Sequence, residues 1–215
     1  MMRRITALMA FLLSMNTLLF AQYDPKALGI LDAMSAKYKS IPSFSAKFTY
    51  TLQNEMEGVN EDFKGEVAVK GDKYRIKMSG QEIMNDGATS WTYLADINEV
   101  TIDNYDPNSG DMTPSKIFTA YKKGYKYLYL QDKTEAGQVY EMVDLVPEDK
   151  NQQFFRIRMQ IHKKDRTLKS WEIYDKVGNI YRYAISDFNP NQALNDAYFR
   201  FDTAKYPGVE VIDLR

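Results

Sequence analysis

Residues 44–53 read Phe-Ser-Ala-Lys-Phe-Thr-Tyr-Thr-Leu-Gln, and the period of this stretch decides the fold. Phe44, Ala46, Phe48, Tyr50 and Leu52 fall on one face; Ser45, Lys47, Thr49, Thr51 and Gln53 fall on the other. A period of two belongs to a β-strand with one face on a core and the other in water. The same alternation continues downstream. Phe63, Val67 and Val69 alternate with Lys64, Glu66 and Lys70; after a turn at Gly71-Asp72, Tyr74, Ile76 and Met78 alternate with Arg75 and Lys77. Asp86-Gly87 signals a hairpin, and 90–93 and 99–102 read as strands around a turn at 95–98. Strand-like runs follow at 125–131, 139–146, 154–162, 168–174, 180–186 and 198–202. About eleven strands with short turns predict an antiparallel meander.

Upstream of residue 44 the period is near 3.6. Asp24-Pro25 offers an N-cap and a first-turn proline, Leu28, Leu31, Met34 and Tyr38 form one stripe, and Ile41-Pro42 ends it. The stripe predicts an amphipathic helix of about 15 residues. Thr113-Pro114 predicts a second, short helix by the same logic, with Gly124 ending it. Two helices among so many strands cannot build βαβ crossovers. The expected fold class is mainly β: a large curved sheet with the helices against its concave side.

Met1–Ala21 reads as a cleaved export signal. Arg3 and Arg4 precede an apolar run from Ile5 to Phe20, and Ala21 is a small residue at a cleavage point. That run is short for a membrane span of roughly 20 residues. The domain expected after cleavage covers 22–215, in the periplasm and without a lipid anchor, since the chain has no cysteine. Removing Arg3 and Arg4 from 28 basic residues leaves 26 against 29 acidic ones, a net charge of −3. This balance gives no reason to expect a nucleic-acid partner. Without cysteine, stability must come from packing rather than disulfides. One histidine and no cysteine leave no ligand set for structural zinc, and no cofactor is expected.

Catalytic readings find little to rest on. His162 ends a strand beside Lys163 and reads as solvent-facing, the serines have no histidine partner, and the carboxylates are spread over turns and outward faces. Arg156 and Arg158 alternate with Phe155, Ile157 and Met159 and read as a solvated face. The expectation is a non-enzyme.

Several segments resemble the outer-membrane lipoprotein carrier family (LolA). The helix is followed by Ser43-Phe44-Ser45-Ala46-Lys47-Phe48, similar to the family's S-F-x-A-x-F. Gly65–Lys70 resembles its second strand, and Asp86–Tyr93 its D-G-x-x-x-W-x-Y hairpin. Phe199-Arg200-Phe201 and 207–213 resemble its ending. The resemblance implies an incomplete, half-open antiparallel barrel with a helical lid over a hydrophobic cavity for acyl chains. It also implies a monomer whose partners are acylated lipoproteins, an inner-membrane ABC transporter that releases them and an outer-membrane receptor. Where the family has an arginine-proline pair that contacts the lid, this chain has Gly71-Asp72. Two other roles are compatible with such a half-barrel: an envelope-sensing domain, or a carrier of another amphiphile such as a glycolipid.

The aromatic content suits a lipid-contacting wall: 16 tyrosines, 11 phenylalanines and 2 tryptophans. Aromatics bury much area, and tyrosine keeps a polar end. Burying a methylene is worth about 0.8 kcal/mol, so a long acyl chain in water costs on the order of 10 kcal/mol. The expected lining is Phe44, Phe48, Tyr50, Val67, Val69, Tyr74 and Ile76 from the strands, together with Trp91 and Tyr93, for which packing elsewhere or flanking the opening is the alternative. Leu31 and Met34 would face the cavity from the first helix, and Ile117 and Phe118 from the second.

Overall fold

A computed structural model describes residues 23–107 and 113–215. The expected export signal and its cleavage point lie outside the described residues. The first helix, α1 (Pro25–Lys39), starts as the sequence dictates. The Asp24 carboxylate accepts the Lys26 and Ala27 N–H groups at 2.8 and 3.4 Å, satisfying donors that the first turn leaves open. Ala27, Ile30, Leu31, Met34 and Tyr38 form the buried face. Leu28 lies at its rim, 36% exposed.

Among the described residues twelve strands form a single sheet. They are β1 (Ser43–Asn54), β2 (Val59–Lys70), β3 (Lys73–Met78), β4 (Gln81–Asn85), β5 (Thr89–Leu94) and β6 (Glu99–Asn104), then β7 (Tyr125–Glu135), β8 (Gln138–Pro147), β9 (Phe154–His162), β10 (Leu168–Asp175), β11 (Ile180–Pro190) and β12 (Glu210–Asp213). Their order is β12-β6-β5-β4-β3-β2-β1-β11-β10-β9-β8-β7. The terminal strands β12 and β7 do not pair with each other, so the sheet is an open, half-closed barrel. Every pairing is antiparallel except β12 with β6.

Register places the apolar rows. Phe44 pairs with Val69 and Val69 with Tyr74; Ala46 with Val67, then Ile76, then Ile83. On the other flank Tyr50 pairs with Tyr183, then Trp171, then Met159, then Val143. These rows share the inner face, and α1 packs on it. Leu31, Met34, Val143, Leu145, Ile157, Met159 and Ile161 are completely buried there. Each such side chain contributes roughly 1.5–3 kcal/mol by leaving water.

The outer face has its own cover. Met84 and Val100 are buried on it, and so is Phe199 from the C-terminal stretch. Tyr93 packs against Phe201 and Tyr206 at ring distances of 5.6 and 4.5 Å.

Three elements differ from the expectation. β4 has no counterpart among the expected strands, because both of its faces are covered: Ile83 points inward while Met84 is buried outside, which erases the alternation. Residues 198–202 are not a strand. Asn195 caps a 3₁₀ turn, Asp196–Phe199, Asp202 caps another, Thr203–Lys205, and the closing strand is β12. The second helix is not α-helical. Residues 113–122 are successive turns ending in a 3₁₀ turn, Ala120–Lys122. Within it the Lys116, Thr119 and Lys122 N–H groups bond the carbonyls of Thr113, Lys116 and Thr119, and this three-residue spacing interrupts an α-helical ladder.

Candidate functional site

Between the inner face and the segment 113–122, here termed the strap, lies a cavity of about 410 Å³. That falls within the roughly 300–1,000 Å³ of small-molecule sites. Phe44, Ala46, Phe48 and Tyr50 of β1, Val67 of β2, Ile76 and Met78 of β3 and Ile83 of β4 form one wall. Trp171 and Ile173 of β10 and Tyr183 and Ile185 of β11 form the other, and Thr113, Pro114, Ile117 and Phe118 of the strap close it over. None of these lining residues is charged.

One end is sealed by rings. Tyr38 of α1 stacks on Phe118 with centroids 3.6 Å apart, and Phe44 and Phe188 pack edge-on or tilted around them. The Tyr38 hydroxyl accepts the Leu168 N–H at 3.1 Å. Burial pushes the Tyr38 phenol up to about 12. At the other end Phe63, Tyr50, Tyr183 and Trp171 stack from strand to strand, at ring distances of 5.8, 5.0 and 4.7 Å. Phe63 is 39% exposed, so this ladder leads from the cavity to solvent. Burial, then the neighbouring Tyr50 and Tyr181, push the Tyr183 phenol up to about 12.

Gly65 makes the wall possible beside Phe48. A Cβ there would lie 2.4 Å from the Phe48 ring and 2.7 Å from the Lys77 carbonyl oxygen. The ring therefore lies flat on the β2 backbone, and only glycine permits it.

The strap is clipped to α1. The Tyr121 hydroxyl donates to the Asp32 carboxylate at 2.6 Å. Burial and this bond raise the Tyr121 phenol well above its ordinary range. Helix α1 is held in turn by Asp24, whose second carboxylate oxygen accepts the Tyr129 N–H of β7 at 3.0 Å. Burial works against the Asp24 charge, but these backbone donors outweigh it and keep the carboxyl below the usual range. Gly71, at the position of the family's arginine, has φ +58° in the two-residue turn between β2 and β3. The strap is attached through the Tyr121–Asp32 bond, the Phe118 rings and Lys116, which lies 5.9 Å over the Tyr105 ring, and glycine at 71 offers no side chain to reach it.

Of the residues expected to line a cavity, Phe44, Phe48, Tyr50, Val67, Ile76, Ile117 and Phe118 come together at this one. Leu31, Met34, Val69 and Tyr74 lie in the packed core beside it. Trp91 and Tyr93 lie away from the cavity: register with Met84 and Glu82 puts them on the outer face, where Tyr93 packs against Phe201 and Tyr206, the packing alternative of the sequence reading. Trp171, Ile173, Tyr183 and Ile185 escape the sequence reading of the site, although alternation within 168–174 and 180–186 already marks them as one-faced. On the outer face Arg158 grips Asp144 with two bonds of 2.8 and 2.9 Å, and Arg156 stacks 3.9 Å over Tyr174. His162 shares a 2.9 Å hydrogen bond with Gln138, and its Nδ1 accepts the Asp165 N–H at 3.2 Å.

Residues 39–202 match the family described as "Outer membrane lipoprotein carrier protein LolA". Two outer-membrane lipoprotein carrier proteins are similar along most of their length. That of Hahella chejuensis is 25% identical over 94% of this chain and 96% of its own. That of Halorhodospira halophila is 24% identical over 86% of each. Among solved structures, an uncharacterized conserved protein from Thermus thermophilus superposes with a TM-score of 0.56 at 14% identity, over 87% of this chain and 99% of that one. Among the described residues no helix is long and apolar enough to cross a membrane.

Proposed function

The chain belongs to the outer membrane lipoprotein carrier protein family, and from that premise we propose that it shelters the acyl chains of lipoproteins in the strap-covered cavity and carries them across the periplasm. The observation that carries this reading is the uncharged lining, with aliphatic and aromatic walls on both flanks and an aromatic ladder leading out. An acylated protein leaves a membrane only if its chains are shielded, since each exposed methylene costs about 0.8 kcal/mol. Cargo enters from an inner-membrane ABC transporter and leaves at the outer membrane, to a receptor that holds the chains better. The strap supplies the door, because its apolar residues both close the cavity and can repack around an occupant. The family is one of carriers, and the described residues that line the cavity are all uncharged.

The test is to purify the protein from the periplasm, extract it and identify what it held by mass spectrometry. Acylated lipoprotein is the expected occupant. A glycolipid or other amphiphile as the sole occupant would move the cargo assignment, and an empty, solvent-filled cavity that takes up no fatty-acid probe would overturn the carrier reading.

A further inference from the structure

The β1–β2 hairpin is longer than its neighbour. β3 pairs with β2 only from Gly65, opposite Met78, to Lys70, so residues 59–64 run past the end of β3. Their other edge is paired with β1 throughout, from Val59 opposite Asn54 to Lys64 opposite Thr49. Asn60, Glu61, Asp62, Phe63 and Lys64 are all exposed. Lys70 and Lys73 flank a two-residue turn and therefore exchange backbone hydrogen bonds, and every second residue back along β2 turns its N–H and C=O the same way. Beyond Gly65 those residues are Lys64, Asp62 and Asn60, which present an edge with no backbone partner among the described residues. Such an edge is a template for an added strand.

Its position says what the strand would be. Phe63 stacks on Tyr50, and Tyr50 lines the cavity, so the edge starts where an acylated terminus would pass from cavity to water. Glu55, Glu57, Glu61 and Asp62 make this arm acidic against the single Lys64. We propose that the unpaired edge of β2 binds the extended polypeptide that follows the acylated residue of the cargo, by strand addition, with preference for basic over acidic side chains. The proposal rests on the carrier reading above and adds a peptide subsite to it.

The experiment compares two probes by competition against a fluorescent fatty acid: a triacylated cysteine amide, and the same lipid followed by a six-residue lysine-containing peptide. The peptide is expected to tighten binding about tenfold, as main-chain pairing does in strand addition. N-methylation of one set of alternate peptide nitrogens should abolish that gain, as should lysine-to-glutamate exchange in the peptide. Asp62→Pro or Lys64→Pro should abolish it too, because each removes an outward N–H while leaving the β1 ladder intact. Binding of the amide alone should not change in either variant. Equal affinity for the two probes would overturn the peptide subsite and leave the carrier reading standing. Failure of both probes to bind would overturn both.

Discussion

At the scale of single residues, the wall of the cavity depends on what is missing at position 65. Gly65→Ala would set a methyl group 2.4 Å from the Phe48 ring, and a backbone carbonyl blocks the other way out. The ring must then tilt into the cavity. Overpacking of this kind costs typically about 1–3 kcal/mol, and fatty-acid probe binding should weaken in the same variant. Phe48→Leu in that background should restore stability, and failure of this rescue would show that the backbone clash dominates. Tyr38 and Tyr183 supply a second residue-scale test. Both phenols are held at about 12 by burial, above the ordinary value of about 10. A raised folded-state value means the contribution is whole below about pH 10 and disappears as pH climbs through about 12. Denaturant titrations across that window should show stability falling steeply in the wild type and less steeply in Tyr183→Phe.

Among the elements, the strap is the one whose fastening the proposed function depends on. It is held by turns rather than a helix, by the rings of Tyr38 and Phe44 on Phe118, by Lys116 over Tyr105 and by the Tyr121–Asp32 bond, whereas α1 is tied into β7 through Asp24. Asp32 is exposed, so the bond contributes about 1 kcal/mol rather than the value of a buried charged pair. Tyr121→Phe should speed hydrogen exchange of amides 116–122 about fivefold while the β1 and β9 amides keep their protection. Equal acceleration in strap and sheet would mean that the strap opens only with global unfolding. The strap also marks where sequence patterning runs out. Cap and proline at 113–114 are helix signals, but they carry no record of how the chain continues, and here bonds at three-residue spacing end it in a 3₁₀ turn. β4 and β12 are hidden for a related reason: the outer cover of β4, which includes Tyr206 against Glu82, and the pairing partner of β12, β6, are distant in sequence, and local alternation carries no record of them. β1 and α1, each with one wet face, are plainly legible.

At the largest scale, the open barrel follows from the twelve strands of the described residues, whose first and last members in the sheet do not pair. Periodicity alone yields a curved meander; the half-open closure and the cavity come from the resemblance. The strand residues of the site can be read as one-faced, yet which face holds the cavity at β5 depends on register across four strands, and Trp91 and Tyr93 fall outside. The inner face is thus a claim about acyl chains, and it can be checked directly. A triacylated cysteine carrying a photoreactive diazirine at its chain ends should be bound, irradiated and mapped by peptide mass spectrometry. The account predicts labels on the inner face, at Phe48, Ile117, Trp171 and Tyr183. Labels concentrated on the outer face, around Trp91, Tyr93 or Tyr206, would contradict it.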